Sequence, residues 1–313
     1  MQSNLNPEQW QSDVQRVADS IRLRVLDHVL RHKGGYMSQA CSSAETLATL
    51  YMRIMKLGES ESPMIPPPFA GVPSKDNPNY FTGAGYNGPK APHLDRFIFS
   101  PAHYALVLYA LLIETDRMSE EGLAQFNQDG STVEMIGAEH SPGCEVTSGS
   151  LAQTLSQAAG IALARKMRGD SGKVFVFMSD GEFQEGQTWE AFQVMNHYKL
   201  DNMAVYVDVN GQQVDGRTED VMNMGDLQKK LEAFRMRVYT VDGHDIAALA
   251  APAEMPDYGR PLVVLSKTDP THGLPRLKER APKLHYLRFT SDEEQALYEK
   301  DFKEMTAKFK RKA

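Results

Sequence analysis

Two short segments carry the residues best suited to chemistry. Asp180 closes an apolar run, residues 173–178, in Ser179-Asp180-Gly181. Asn210 closes a second apolar run, residues 203–207, in Asp208-Val209-Asn210-Gly211, thirty positions further on. One offers an anionic oxygen and the other a neutral amide oxygen. A backbone carbonyl near Gln212 supplies a third. Such an all-oxygen set suits a hard cation, Mg²⁺ or Ca²⁺, that shares its shell with phosphate. Gly181 and Gly186 lack a Cβ and let backbone come close to a diphosphate. The pattern equally fits a βαβ unit whose aspartate caps a helix and whose Asn-Gly is an ordinary turn.

The elements around these residues place them. Both apolar runs are short and continuous, as in strands covered on both faces of a parallel sheet. Between them, residues 188–198 space Trp189, Phe192, Val194 and Met195 as a helix does. Strand, crossover helix and parallel strand form a right-handed unit, which puts Asp180 and Asn210 at carboxyl strand ends, where ligands of open α/β sheets bind. Further strands are expected at 96–99, 237–241 and 261–266, and helices at 7–31, 44–57, 101–115, 119–126 and 226–236. The expectation is an α/β fold, a three-layer αβα arrangement with a mostly parallel sheet, in a single domain over 1–313. Residues 58–94, rich in Pro, Gly and Asn, read as a long ordered surface loop with functional or interface use. Residues 291–313 read as a charged amphipathic C-terminal helix.

Other polar residues are candidates by position. His103 opens an apolar helix, where free N–H groups suit phosphate. The turn holding Gly149, Ser150 and Leu151 leads a small-residue helix and offers the same. Glu185, five residues after Asp180, is placed to relay protons if buried beside a cofactor. His32 ends the first helix, where a histidine ordinarily compensates the helix dipole.

Composition narrows the classes. The chain has 313 residues, 41% hydrophobic and 24% charged, with a net charge of −7. That balance disfavours nucleic acid or an anionic membrane as partner. Cys41 and Cys144 form no framework or CxxC pair, which fits a reducing compartment. The polar N-terminus lacks a signal-peptide core, and the longest apolar run, residues 104–113, is too short to span a bilayer. A cytoplasmic protein is expected. The sequence contains no GxSxG, HExxH or P-loop.

SDGEFQEG with WEA behind it, followed by VNGQQVDG, resembles the thiamine-diphosphate-binding motif of the transketolase family. Ser179 and Val209 stand where the motif has Gly and Asn. HKGGY…SSAETLATLY, DRFIFSPAH, TSGSLAQTLSQAAGIALA, VDGHD and Lys267-Thr268 resemble further transketolase segments, with Ala152 and Thr154 in place of two glycines. The resemblance implies the thiamine-diphosphate-binding fold. It implies thiamine diphosphate with Mg²⁺ or Ca²⁺, the metal on Asp180, Asn210 and Gln212. Cofactor contacts would come from His103, Gly149, Ser150, Leu151, Asp180, Gly181, Glu182, Asn210 and Lys267. His32, His103, Glu185 and His285 would be the catalytic groups, with His272 competing for the role of His285 and His140 standing in for a histidine missing upstream. The implied reaction transfers a two-carbon ketol unit from a ketose, such as a sugar phosphate, to an aldose. The chain stops where the family continues with a pyrimidine-binding domain. It is therefore expected to be the N-terminal (A) subunit of a split transketolase. Activity would require a separate C-terminal (B) subunit, in an A₂B₂ heterotetramer. The rival readings are the α subunit of a 2-oxoacid dehydrogenase and a non-catalytic, transketolase-like structural subunit. Departures at 58–94 and 269–284 suggest a modified ketose, branched or sulfonated.

Overall fold

The computed structural model describes residues 9–312, so Pro7, the expected start of the first helix, lies outside the described residues. In chain order the elements are α1 (Trp10–Arg31), β1 (Gly34–Gly35), α2 (Met37–Thr49), β2 (Arg96–Phe99), α3 (Ala105–Glu114), α4 (Glu120–Leu123), α5 (Gln153–Arg168), β3 (Val174–Ser179), α6 (Gly186–His197), β4 (Met203–Val209), β5 (Gln212–Gln213), β6 (Gly216–Arg217), α7 (Thr218–Met222), α8 (Leu227–Ala233), β7 (Arg237–Asp242), α9 (Ile246–Glu254), β8 (Leu262–Lys267), β9 (Leu287–Arg288) and α10 (Asp292–Lys312).

Five strands form one parallel sheet in the order β2-β3-β4-β8-β7. Alternation along the strands divides the core in two. Phe97, Phe99, Phe175, Phe177, Tyr206 and Val264 point to the side holding α1, α2, α3 and α9. Ile98, Val176, Met178, Val205, Val207 and Val263 point to the side holding α5, α6 and α8. The period of two along each strand sends successive side chains to opposite layers. The register sets Ser179 beside Asp208, and Val209 beside Lys267. The residues following β3 and β4 therefore emerge side by side at one end of the sheet.

The second helix begins seven residues before the expected position and is buried along its whole length between α1 and the sheet. Ser42 and Ser43, just ahead of the expected start, are interior residues. Ser43 Oγ donates to the Gln39 carbonyl at 2.6 Å, and Ser42 Oγ reaches across to Asp208 at 2.6 Å. A serine can sit inside a helix by bonding back one turn, and nothing in the local sequence separates that from a cap. Glu45 on the same helix is fully buried and pairs with Arg22 of α1.

Part of the 58–94 loop belongs to the packed interior. Tyr86 is fully buried, and Asn87 Nδ2 donates to the Gly143 carbonyl at 3.0 Å and to Glu145 at 3.1 Å. Arg117 clips the loop by donating to the Tyr86 and Gly58 carbonyls. A Cβ on Gly83 would lie 1.7 Å from the Ser141 carbonyl oxygen, so only glycine lets the loop dock there. The outer stretch leaves Met64, Ile65, Phe69 and Val72 exposed.

Candidate active site

Asp180 is buried at the end of β3. Its Oδ2 accepts the Gly211 N–H at 2.9 Å and the Thr218 hydroxyl at 3.3 Å. Its Oδ1 is buried and has no hydrogen-bond partner among the described residues. Burial first, and the Asp208 carboxylate second, push its pKa up to about 7. An anionic oxygen held out of water with nothing to accept is costly, and a cation removes the cost. Asn210 presents its amide in a fixed sense. Nδ2 donates to Tyr104 Oη and Asp208 Oδ2, both at 2.9 Å, so Oδ1 faces the other way, towards the Gln212 N–H at 2.8 Å. That oxygen retains a second lone pair. The side-chain Oε1 of Gln212 is also buried without a partner among the described residues. Carboxylate, amide and carbonyl oxygens without nitrogen or sulfur match a hard divalent cation.

Two cavities flank this set. One, of about 390 Å³, is lined by His103, Gly149, Leu151, Gly181, Glu185 and His285, with Tyr36, Tyr104 and Gln212 in the same wall. The other, of about 490 Å³, has Asp180, Thr218 and Lys267 in its wall. Within the first, the His103 and His285 rings lie 4.9 Å apart, and Tyr36 packs against both. Burial and then the neighbouring His285 lower His103 to about 3, and burial also lowers His285. At neutral pH both rings are uncharged and keep a nitrogen lone pair. Gln39 Nε2 donates to the His285 carbonyl at 3.0 Å. Glu185, the residue before α6, is exposed on the rim.

Several expected residues stand elsewhere. His32 does not reach either cavity: its ring stacks on His28 at 4.0 Å and its Nδ1 bonds the His28 carbonyl at 2.9 Å, because the last turn of α1 turns it back onto the helix. The side chain of Glu182 points away from both cavities. Its fully buried carboxylate accepts the Ser179 N–H at 2.8 Å, the Ala152 N–H at 3.1 Å and the Ser100 hydroxyl, which ties the turn after β3 to the start of α5. Ser150 is exposed beside the first cavity but does not line it. His140 bonds Glu134 at 3.0 Å under Phe69, away from the cavity. His272 stacks on His244 at 3.9 Å. With Glu45 these two histidines bring potential ligand atoms within 4.8 Å, but the atoms of Glu45 and His244 are already engaged. Glu45 is held by Arg22 and by His244 Nδ1 at 3.1 Å, and His244 Nε2 accepts the Asp269 N–H at 2.9 Å.

Asp208, which no motif singles out, sits at the centre of this region. It is fully buried and accepts four side-chain donors: Ser42 at 2.6 Å, Tyr104 at 3.0 Å, Asn210 at 2.9 Å and Thr268 at 2.6 Å. These come from α2, the start of α3, the end of β4 and the loop after β8. Its one local signal is an acid inside an otherwise apolar strand.

Residues 81–300 match the family described as transketolase, thiamine diphosphate binding domain. The chain belongs to the transketolase family. An uncharacterized transketolase family protein of Sinorhizobium fredii is 39% identical over 68% of this chain and 78% of its own length. The A subunit of the apulose-4-phosphate transketolase of Actinobacillus succinogenes is 30% identical over 81% of this chain and 82% of its own. Among solved structures, the transketolase of Campylobacter jejuni superposes with a TM-score of 0.72 at 20% identity, covering 98% of this chain and 49% of that enzyme. This transketolase chain thus matches most of the Actinobacillus protein and about half of the Campylobacter enzyme.

Ala152 stands where the resemblance implies a glycine. It has φ +66°, a left-handed conformation that disfavours a Cβ by roughly 1 kcal/mol. Ala152→Gly is expected to stabilise the transketolase fold by about 0.5–1 kcal/mol. Calorimetric melting checks it, and an unchanged or lower Tm counts against the assignment of strain.

Proposed function

We propose that this chain is the N-terminal (A) subunit of a split, thiamine-diphosphate-dependent transketolase that transfers a two-carbon ketol unit from a ketose, such as a sugar phosphate, to an aldose. The observation that carries the reading is the buried Oδ1 of Asp180, without a partner among the described residues, beside the oriented amide of Asn210 and the equally unpartnered Gln212 Oε1, against a cavity holding two neutral histidines. Asp180, Asn210 and Gln212 would hold Mg²⁺ or Ca²⁺, and through it the diphosphate. Thiamine diphosphate, when bound, supplies the nucleophilic carbon and the electron sink for the two-carbon fragment.

The chain's own groups bind and move protons. His103 and His285 each keep one ring nitrogen able to accept a proton and one able to donate, which suits the hydroxyl and carbonyl oxygens of ketose and aldose. Burial keeps both neutral across physiological pH. Glu185 on the rim would pass protons towards a neighbouring protomer. The mouth of the cavity carries Ile136, Leu151 and Val214 at 41%, 40% and 67% exposure. Such an apolar rim fits a covering partner, here a separate pyrimidine-domain (B) subunit in an A₂B₂ assembly. The relative from Actinobacillus, itself named as the A component of its transketolase, supports the same division. The whole chain acts as one domain in a cytoplasmic enzyme. No helix among the described residues is long and apolar enough to cross a membrane.

The test is reconstitution with a candidate pyrimidine-domain partner, followed by a screen of ketose donors. In the reconstituted pair, His103→Ala is expected to lower kcat/KM by roughly 10²–10⁴-fold. Decarboxylation of 2-oxoacids with no ketose turnover would replace this reading by that of a dehydrogenase component. Absence of thiamine diphosphate binding in calorimetry would replace it by a non-catalytic one.

A further inference from the structure

At the opposite end of the sheet a third cavity, of about 280 Å³, opens among the amino-terminal ends of the strands. Its wall carries Lys56, Lys173, Arg237 and His93, with Asp95 and Asp201 as its acids. β3 runs from Val174 to Ser179, so this end lies roughly 17 Å from the carboxyl end that holds Asp180.

The charges in this wall do not balance. Asp201 is paired outside it, with Lys166 at 2.6 Å. Asp95 is buried, and its two oxygens are taken by main-chain donors, the Lys173 N–H at 2.6 Å and the Lys56 N–H at 2.7 Å. Lys56, Lys173 and Arg237 form no ion pair with any described residue. Three cations against the one remaining carboxylate leave two positive charges in excess.

Arg237 is the decisive member. It is 5% exposed, yet no carboxylate of the described residues meets it. Its Nη1 donates to the Pro252 carbonyl at 3.0 Å, near the end of α9, and its Nε is buried with no acceptor among them. Tyr239 lies under the guanidinium at 5.5 Å. A guanidinium withdrawn from water is ordinarily matched by an anion, and its planar fork suits phosphate or carboxylate oxygens. Capping the last carbonyls of α9 accounts for one donor and leaves the rest. Apart from Ser171 the remaining wall is apolar, with Ile54, Phe175, Met203 and Leu262 its larger members.

We propose that this cavity is a binding site for a small phosphate monoester. Arg237 and Lys173 hold the phosphate, Lys56 closes it from solvent, and the apolar wall takes a short carbon skeleton. The volume is at the lower end for ligand pockets, which selects a small metabolite over a nucleotide. The site is separate from the candidate active site and does not depend on the reading of that site as a transketolase centre.

The probes are inorganic phosphate and glycerol 3-phosphate, titrated against the full chain in thermal-shift and calorimetric experiments at constant ionic strength, with chloride as control. Saturable stabilisation is expected, stronger for the ester. The dissociation constant should rise at least tenfold in Arg237→Met and in Lys173→Met. Because Arg237→Met removes a helix-capping bond, Lys173→Met and Lys56→Met, at more accessible positions, keep the test decisive if that variant does not fold. His103→Ala, in the other cavity, should leave the response unchanged. A response equal to that of chloride, or one lost in His103→Ala and kept in Lys173→Met, overturns the proposal.

Discussion

Asp180→Asn is expected to abolish metal-dependent thiamine diphosphate binding while making the metal-free protein more stable at pH 8. The two effects have one cause. Burial and the Asp208 carboxylate raise Asp180 from 3.8 to about 7. A carboxyl whose folded pKa lies above its unfolded value stabilises the fold fully below about pH 3.8, and that stabilisation is lost as the pH rises through about 7. At pH 8 the wild type therefore holds an ionised, uncompensated carboxylate, at a cost on the order of 2–4 kcal/mol. Asparagine carries no charge to compensate. Melting temperatures of the metal-free proteins from pH 5.5 to 8 should fall more for the wild type than for Asp180→Asn, and the difference isolates this one group from the other buried acids. Mg²⁺ should restore the wild type at pH 8 and leave the variant unmoved. Cofactor affinity, read by calorimetry with Mg²⁺ present, should drop by more than about 100-fold. Parallel pH profiles, or retained affinity, would remove Asp180 from the cation site.

The second large effect is expected at Asp208. Its carboxylate fixes the amide of Asn210 and also ties down Ser42, Tyr104 and Thr268. In Asp208→Asn one of the two acceptor oxygens becomes a donor, and it meets a hydroxyl or amide hydrogen that needs an acceptor. Leaving buried donors unsatisfied costs about 1–3 kcal/mol each, so a loss of roughly 2–4 kcal/mol in denaturant unfolding is expected. A purely structural residue would show that loss alone. If Asn210 holds the metal as proposed, Asp208 orients its amide, and Mg²⁺ affinity should also weaken by about 10–100-fold, measured by titration under conditions where the variant is folded. Loss of stability with unchanged Mg²⁺ affinity would make Asp208 a core anchor only.

The placement of Glu182 and His32 shows that a motif does not fix the direction of a side chain. Glu182 sits two residues after Asp180, within the segment that carries the resemblance, yet its carboxylate turns inward. The first turn after β3 leaves the N–H of Ser179 and the N–H of Ala152 facing it. His32 sits in an equally suggestive segment, but α1 continues far enough for its ring to stack back on His28. A motif gives residue types and spacing, and a side chain's direction depends on which neighbours need a partner.

The sequence by itself determined the local order of this protein. Two continuous apolar runs ended by Asp180 and Asn210 called for adjacent parallel strands, because strand burial is written in consecutive residues. The acidic-glycine turn, the small-residue helix and His103 at a helix start were legible for the same reason. Tertiary structure decided what joins across long separations. Ser42 meets Asp208 across 166 positions, and Gln39 meets His285 across 246. No local pattern encodes these contacts, since they exist only once the sheet has set β3 and β4 in register and buried α2 beneath them. The tertiary structure also left one oxygen of Asp180 buried with no partner among the described residues, and that unmet acceptor, more than the motif, supports the proposed cation site.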